Sequence, residues 1–281
     1  MSSSNTVVTN LNYFSPPADG AKPYVDINAD ISTGTRAQNW VREPHDNIVI
    51  ENVRGKEGEF SLETSGFQYF RHPQKYTSFA NDEEIIREYY PESIELVKKL
   101  TGASRIQPFD HTIRRRRPGQ LDDGPDRRQP VSFVHVDQTA ASAVARVHRH
   151  LPAEDVPELL NHRFQIINLW RPIGHTAYDW PLAFCDFRSI DIKNDLVPTD
   201  LVYPDRKGET LSVKYNPNHR WKYLKGMEPD EFALIKCFDS RNDGNTAILT
   251  PHTAFDDSSK PEGAPLRESI ELRLLVFYED Q

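Results

Sequence analysis

Residues 164–172 of the chain read Phe-Gln-Ile-Ile-Asn-Leu-Trp-Arg-Pro, and residues 182–190 read Leu-Ala-Phe-Cys-Asp-Phe-Arg-Ser-Ile. Apolar and polar side chains alternate through much of both stretches, which is the pattern of β-strands. Further strand patterns run to residue 278, and in the second half of the chain helices do not alternate with strands, as they would in a doubly wound fold. The sequence therefore predicts a mainly β protein with peripheral helices, built as a sandwich or jelly roll.

Length and composition indicate an ordinary globular protein of 281 residues with a formal net charge of −8. Residues 1–40 are polar and rich in Pro, Gly, Asn and Asp, so we predict an extended N-terminal arm packed on a single domain of residues 41–281. The acidic balance argues against a nucleic-acid partner, and no apolar run approaches the roughly 20 residues of a membrane span. Cys185 and Cys237 fall in predicted strands and should be buried thiols, which favours a reducing, cytoplasmic compartment.

Three segments are predicted to be helical. Residues 82–101 carry apolar side chains at a 3.6-residue period, with a break expected at Pro91, and residues 138–150 and 153–162 suit two short helices. Between them, residues 114–126 combine four arginines with Pro, Gly and Asp, which predicts a charged loop.

The sequence His135-Val136-Asp137 ends a predicted strand. Residues two apart in a strand face the same side, so an imidazole and a carboxylate can converge there on one ion. His252, which follows a later strand, is the best candidate for a third ligand. Two imidazoles and one carboxylate with open positions form the facial triad of non-heme Fe(II) oxygenases. A surface or hydrogen-bonded core histidine is the alternative for His135 taken alone.

A second signal lies at the start of the last predicted strand, where Arg267 and Ser269 follow His252 after fifteen residues. Arg267, Ser269 and Arg273 share one face of that strand. A buried arginine needs an anionic partner, and a dicarboxylate could supply one through a bidentate pair. Arg-x-Ser shortly after the distal histidine is typical of the site that holds the far carboxylate of 2-oxoglutarate. A structural ion pair of either arginine with Glu271 is the alternative.

Eight short motifs are spread over nearly the whole chain. They are Leu11-Asn-Tyr-Phe, Phe109-Asp-His-Thr-Ile-Arg-Arg-Arg, Val134-His-Val-Asp-Gln-Thr, Asn168-Leu-Trp-Arg-Pro, Asp179-Trp-Pro-Leu-Ala-Phe-Cys-Asp, Phe238-Asp-Ser, Pro251-His-Thr-Ala-Phe and Arg267-Glu-Ser-Ile-Glu-Leu-Arg. With these motifs the sequence resembles the fungal and bacterial group of Fe(II)/2-oxoglutarate enzymes that includes gibberellin desaturase, the aspergillic acid hydroxylase/desaturase and the cephamycin methoxylation protein.

The resemblance implies a double-stranded β-helix core of the jelly-roll, cupin-like type. It implies Fe(II), 2-oxoglutarate and O2 as cofactor and co-substrates, and it carries the iron ligands over to His135, Asp137 and His252. It also implies a small specialised metabolite as substrate, which is hydroxylated, desaturated or closed into a ring after hydrogen leaves a C–H bond. Both Arg267 and Arg273 fit the motif of the co-substrate arginine.

Of these two arginines we predict Arg267 as the co-substrate anchor, on the assumption that the last strand starts beside the metal. Arg273 would then lie about 13 Å beyond Ser269, too far to hold the same carboxylate. On this hypothesis Arg273 mainly supports the stability of the fold.

Five further residues are candidates for substrate binding: Asn168, Trp170, Arg171, His111 and Arg114. Asn168 shares a strand face with Trp170 and is either a satisfied core polar group or a pocket contact. Arg171, at a strand end, suits a carboxylate clamp or a structural salt bridge.

Two structures are compatible with the basic segment that contains His111 and Arg114–Arg117. His111 and Arg114–Arg117 could form a mobile lid over an anionic substrate, or a solvated loop balanced by Asp122, Asp123 and Asp126. Because the arginines are excess cations in an acidic protein, we expect a substrate with a carboxylate, such as an amino acid or a small acid. Neutral terpenoid or aromatic substrates are the competing outcome.

Other functions stay open at this point. The same triad could serve a 2-oxoglutarate-independent oxidase or cyclase, or a non-catalytic cupin-like metal-binding module. A zinc hydrolase is disfavoured, because no obvious general base accompanies the triad. The partner we predict is a small molecule, without nucleic acid or membrane, and a homodimer stays open.

Overall fold

A computed structural model describes residues 5–29, 36–122 and 124–279. Residues 1–4 and 30–35 of the predicted arm and Asp123 of the predicted loop lie outside the described residues. Within the described ranges the chain forms fifteen strands in two sheets, and helices lie between them. This architecture confirms the mainly β fold expected from the sequence.

The larger sheet contains ten strands. In spatial order they are β1 (Thr6–Ser15), β4 (Val41–Asn52), β12 (Trp221–Tyr223), β9 (Leu182–Cys185), β14 (His252–Ala254), β7 (His135–Val136), β11 (Lys207–Val213), β10 (Leu196–Val202), β2 (Tyr24–Ala29) and β3 (Arg36–Gln38). The central neighbours β9, β14 and β7 run antiparallel. The sheet therefore places β14 and β7, which are far apart in sequence, side by side at its middle.

The smaller sheet contains five antiparallel strands. In spatial order they are β5 (Phe67–Arg71), β13 (Glu231–Asp239), β8 (Arg163–Pro172), β15 (Glu268–Tyr278) and β6 (Arg105–Arg115). The last strand, β15, pairs on one side with β8 and on the other with β6. Cys185 on β9 and Cys237 on β13 are buried free thiols, as predicted.

Both faces of β15 are covered. Leu275 and Phe277 pack with Phe184 of the larger sheet, in the core between the two sheets. Leu272 and its same-face neighbours pack instead with Val97, in a second core on the outer side. Alternation along the strand separates the odd-numbered from the even-numbered residues, as the sequence predicted, and the odd-numbered face, with its polar residues, lies between the sheets.

Five α-helices are described, of which the first four fall within the predicted helical segments and the last was not predicted. They are α1 (Asp82–Glu84), α2 (Tyr90–Thr101), α3 (Ala140–His150), α4 (Val156–Asn161) and α5 (Ile192–Asp195). A π-helical turn at Ile85–Tyr89 joins α1 to α2. The expected break at Pro91 is therefore a π turn just before it, and Pro91 itself occupies the first turn of α2, where a missing N–H is tolerated. None of the described helices combines the length and apolar character needed to cross a membrane.

The described part of the first forty residues forms strands that pair with other strands of the larger sheet. β1 pairs with β4 along its length, and β2 pairs with β10 and β3. Leu11 and Tyr13 of β1 are buried in the core of the larger sheet. The chain is extended, as predicted, but its hydrogen bonds incorporate it into the sheet.

The charged loop begins later than predicted. β6 continues to Arg115 and pairs with β15, so that His111 and Arg114 are strand residues. They cannot belong to a mobile lid of the kind predicted, because hydrogen bonds to the neighbouring strand fix them. Pro108 obscured this strand in the sequence, since it lies next to a register shift where the missing N–H interrupts the ladder.

Candidate metal centre

His135, Asp137 and His252 converge at the middle of the larger sheet. His135 on β7 is paired directly with His252 on β14, and their ring centroids are 4.5 Å apart. Nε2 of His135 lies 3.3 Å from Oδ1 of Asp137, and Nε2 of His252 lies 3.8 Å from the same oxygen. One potential ligand atom from each residue lies within 4.8 Å of the other two. The structure thus brings together the three residues predicted as ligands.

Hydrogen bonds to backbone carbonyls orient both imidazoles. Nδ1 of His135 lies 2.7 Å from the carbonyl oxygen of Phe133, and Nδ1 of His252 lies 2.9 Å from that of Thr250. A carbonyl only accepts, so each Nδ1 carries a proton, and Nε2 is the atom of each ring that is left for a metal beside Asp137. This arrangement is the one that metal-binding histidines need. Burial and the neighbouring His135 also lower the pKa of His252, which favours its neutral form.

A hydrogen bond orients the second carboxylate oxygen of Asp137, Oδ2. The Asn168 side-chain amide donates to Oδ2 over 2.7 Å, and to Glu271 over 2.9 Å. Burial alone would raise the pKa of Asp137, but His135, His252 and Arg273 hold it well below its usual range. Asp137 is therefore an oriented carboxylate, with Oδ1 left for a metal.

Replacing Asn168 by alanine should weaken iron binding about 10- to 100-fold, because Asp137 loses the donor that orients it. Competition with a chelator would measure the iron dissociation constant. Gln165→Ala is the matched control, since Gln165 is a buried amide of the same strand that donates to Asp239 instead. Equal iron affinities of the two variants would show that Asn168 does not position the ligand.

Arg273 lies next to Asp137, which corrects the prediction that it lies far from the metal. Its Nη2 is 2.7 Å from Glu271, its Nη1 is 2.9 Å from Asp110, and its Nε is 3.6 Å from Asp137. Burial acts to lower the pKa of Arg273, but these three carboxylates raise it well above its ordinary value. The prediction failed because β15 runs across the triad rather than starting beside it: Arg273 is paired with Asn168.

Arg273→Ala should lower the free energy of unfolding by about 3–5 kcal/mol, because it leaves the buried carboxylate of Glu271 without its cation. Urea titration would measure this loss. Arg115→Ala removes a more exposed ion pair with Glu268 from the same sheet and should cost less than about 1 kcal/mol. A loss as small as that of Arg115→Ala would contradict a stabilising role.

Arg267 is buried and forms no ion pair with any residue that the structure describes. Its Nη1 donates to the carbonyl of Trp180 over 2.6 Å, its guanidinium lies 5.6 Å from the centre of the Trp170 ring, and its Nε has no hydrogen-bond partner among the described residues. Burial and the neighbouring Arg114 lower its pKa to about 9. A buried cation next to a second arginine is suited to a carboxylate from outside the protein.

Arg267 and the triad share one small cavity. It is lined by Arg114, Val131, His135, Asp137, Trp170, Leu182, His252, Arg267 and Glu271. Ser269 is buried on the same face of β15, between Arg267 and Glu271. Of the predicted substrate residues, Trp170 and Arg114 line this cavity and Asn168 contacts Asp137 behind it. Burial lowers the pKa of Arg114, whose Nη1 donates to the carbonyl of Gln129.

His111 and Arg171 are on the other side of the smaller sheet. They are paired with Leu272 and Ile270, residues that pack in the outer core. Nδ1 of His111 lies 2.9 Å from the Tyr90 hydroxyl. His111 therefore does not cover the triad and Arg171 does not form a clamp there, because strand alternation turns both side chains away.

Arg171 also makes no salt bridge with the described residues. Its Nη1 donates to Gln74 over 2.7 Å, and its guanidinium lies 4.9 Å from the centre of the Phe232 ring. The salt bridge considered from the sequence is therefore replaced by an amide oxygen and an aromatic face.

One wall of the site, formed by strands near the N-terminus, was not predicted from the sequence. A larger cavity beside the triad is lined partly by residues of β2, β3 and β4, including Val25, Gln38 and Arg42. These residues belong to, or directly follow, the segment that was predicted to be an arm. The alternation of β1, in which Leu11 and Tyr13 face inward, was the available signal that this segment joins the sheet.

Comparisons with known proteins agree with this geometry. The model of the oxidoreductase/YMDC permease-like domain family matches residues 11–277. Hydroxylase/desaturase efuI of Hormonema carpetanum is 38% identical over 300 residues, which cover 99% of this chain and 97% of the relative.

The chain belongs to this oxidoreductase family. The oxygenase is also 30% identical, over 94% of each chain, to the Fe(II)/2-oxoglutarate-dependent dioxygenase nvfI of Aspergillus novofumigatus. A solved structure of the iron and alpha-ketoglutarate-dependent endoperoxidase NvfI superposes with a TM-score of 0.86 at 27% identity, covering 98% of this chain and 99% of the other. The predicted family, jelly-roll fold and enzyme class are confirmed.

Proposed function

We propose that this oxygenase uses Fe(II), 2-oxoglutarate and O2 to hydroxylate, desaturate or cyclise a small specialised metabolite. The observation that carries the proposal is the buried Arg267, which forms no ion pair with the described residues and lies in the same cavity as the two histidines and Asp137. The relatives named hydroxylase/desaturase and Fe(II)/2-oxoglutarate-dependent dioxygenase support it.

Nε2 of His135, Nε2 of His252 and Oδ1 of Asp137 would hold the ferrous iron. Three protein ligands leave positions for a chelating co-substrate and for dioxygen. With both bound, iron supplies the oxidising power that C–H cleavage requires. The carbonyl oxygens of Phe133 and Thr250 orient the two imidazoles, and the side-chain amide of Asn168 orients Asp137.

Arg267 would bind the far carboxylate of 2-oxoglutarate. Its Nε is a free donor, and Trp180 and Trp170 fix the guanidinium in place without neutralising its charge. Ser269, on the same strand face, would donate a second hydrogen bond. Trp170 and Leu182, which line this cavity, limit access of water.

The alternative functions do not require a buried arginine at the position of Arg267. A non-catalytic metal-binding module, a zinc hydrolase or an oxidase independent of 2-oxoglutarate needs the triad but no buried cation beside it. Desolvating an arginine without an anionic partner is costly, so its presence favours a co-substrate that carries a carboxylate.

Anaerobic mixing of the protein with Fe(II) and 2-oxoglutarate tests the proposal. A weak visible charge-transfer band should appear, because the keto acid chelates the metal. Succinate, which lacks the keto group, is the control and should give no band. A protein that binds Fe(II) but gives no band with 2-oxoglutarate would support the triad and reject the co-substrate.

The proposal also covers the domain bounds, the cellular compartment and the partners of the protein. We infer that residues 41–281 form the oxygenase domain, with the strands of the first forty residues extending its larger sheet. The buried reduced thiols of Cys185 and Cys237 favour the cytoplasm. The absence of a nucleic-acid partner stays a prediction, and a homodimer stays open.

A further inference from the structure

A cavity of about 390 Å³ lies beside the metal centre and shares His135 and Asp137 with it. Six positively charged arginines line it: Arg36, Arg42, Arg114, Arg128, Arg146 and Arg273. Only three aspartates line it: Asp110, Asp122 and Asp137. The whole protein has a formal net charge of −8, so this excess of positive charge is local. The volume is that of a small-molecule site.

Three of the six arginines form ion pairs within the protein, two of them with the same aspartate. Arg273 pairs with Asp110, and Arg36 and Arg128 lie 3.7 Å and 3.0 Å from Asp122. These arginines complete ion pairs and have little need of an external anion.

Two other arginines, Arg42 and Arg146, have neither an ion pair nor a hydrogen bond with the described residues. Arg146 packs over Phe109 and has the carboxylate of Asp110 in its surroundings, although not in contact. Arg42 differs, because burial and then the like charge of Arg36 lower its pKa, and no carboxylate of the described residues offsets them.

The side chain of Arg42 reaches solvent although protein surrounds much of it, and its guanidinium lies 5.6 Å from the centre of the Phe133 ring. Phe133 in turn packs against Trp40, with ring centroids 4.7 Å apart. Trp40, Phe133 and Val131 give the cavity an apolar wall beside this cation. The wall and Arg42 together suit a molecule with an anionic end and an apolar body.

The same contacts indicate the path of that molecule. Phe133 precedes His135 by two residues, which is about 6–7 Å along an extended chain. The Arg42 guanidinium lies 5.6 Å from the centre of the Phe133 ring. A molecule that binds Arg42 and reaches the triad must therefore extend along this ring.

We propose that the substrate is a ring-containing acid whose carboxylate binds Arg42 and whose apolar body extends along Trp40 and Phe133 to the triad. This inference rests on the proposed function, which makes the triad the reacting end. It replaces the expectation of an amino acid or small acid bound by Arg171, since Arg171 lies on the outer side of the smaller sheet.

Binding of 6-fluoro-2-naphthoate and of the corresponding naphthamide tests the inference. ¹⁹F NMR titration of the full chain with Zn(II) and 2-oxoglutarate would give both dissociation constants. The acid should bind wild type at least about tenfold more tightly than the amide, and Arg42→Gln should weaken the acid about 10- to 100-fold while the amide changes by less than about twofold. Arg128→Gln is the matched control, because Asp122 already neutralises Arg128.

Three results would overturn the inference. The first is an acid that binds wild type no better than the amide, including the case in which neither binds. The second is an equal loss of both probes in Arg42→Gln, which would mean that Arg42 only packs. The third is a loss of the acid in Arg128→Gln or Arg146→Gln as large as in Arg42→Gln.

Two further measurements separate this inference from other failures. Arg42→Gln should melt no lower than wild type, since Arg42 makes no ion pair in the described structure, and Arg42→Lys should recover part of the preference for the acid. If 2-oxoglutarate fails to bind, the proposed function is wrong, but the effect of Arg42→Gln on the two probes can still be measured with the metal-free chain.

Discussion

Asp137→Ala should bind no iron and show no turnover, while it retains the fold of the wild type. Asp137 is the only anionic member of the triad, and Oδ1 is the atom toward which both imidazoles point. Two neutral imidazoles that remain on neighbouring strands give a weak site with no charge to balance that of Fe(II). Iron stoichiometry and circular dichroism, measured on the same preparation, decide the outcome.

Asp110→Ala is the matched control for this experiment. Asp110 is the other aspartate that contacts Arg273, at 2.9 Å, but it lies outside the triad. This variant should keep its iron and lose at most some stability. If Asp137→Ala still binds one iron tightly, or if Asp110→Ala loses iron as completely, the assignment of the ligands is wrong.

Arg267→Ala should raise the KM for 2-oxoglutarate by about two to three orders of magnitude. Losing one partner of a buried charged contact costs about 2–5 kcal/mol, and each 1.4 kcal/mol is a tenfold change. Steady-state titration of 2-oxoglutarate would measure KM, and anaerobic titration of the charge-transfer band would measure binding without turnover. Iron affinity should stay close to that of wild type, since Arg267 contacts none of the three ligands.

Arg267→Lys and Arg273→Ala serve as comparisons. The lysine keeps the charge but loses the planar pair of donors, so its KM should lie between those of wild type and Arg267→Ala. Arg273→Ala should mainly lower stability, because its guanidinium is already engaged by Glu271 and Asp110. A larger KM effect in Arg273→Ala than in Arg267→Ala would make Arg273 the anchor.

Features set by local pattern could be predicted from the sequence. Alternation over residues 164–172 identified a strand, the period of residues 82–101 identified a helix, and His-x-Asp at a strand end placed two ligands on one side. Even the two faces of β15 were predicted correctly, because alternation requires no knowledge of the neighbouring strands.

Features set by register and by long-range pairing could not be predicted. Arg171 and Trp170 are adjacent in sequence, and alternation says that they face opposite sides but not which side holds the metal. The position of Arg273 beside Asp137 depends on its pairing with Asn168. Likewise, β1 becomes a sheet strand only through its pairing with β4. These relations arise from contacts between distant segments, which no short window of sequence contains.

The direct pairing of His135 with His252 also sets the order of assembly. The two residues are more than 100 positions apart in the chain, and they meet only when β7 and β14 have joined the middle of the larger sheet. The entropy cost of closing so long a loop must be met before the ion can bind all three ligands. In an unfolded chain only His135 and Asp137 lie near each other. We therefore expect iron to load into a folded apoprotein, unlike a zinc finger, in which metal drives folding. A chelator should therefore abolish the activity of the enzyme reversibly without unfolding the protein.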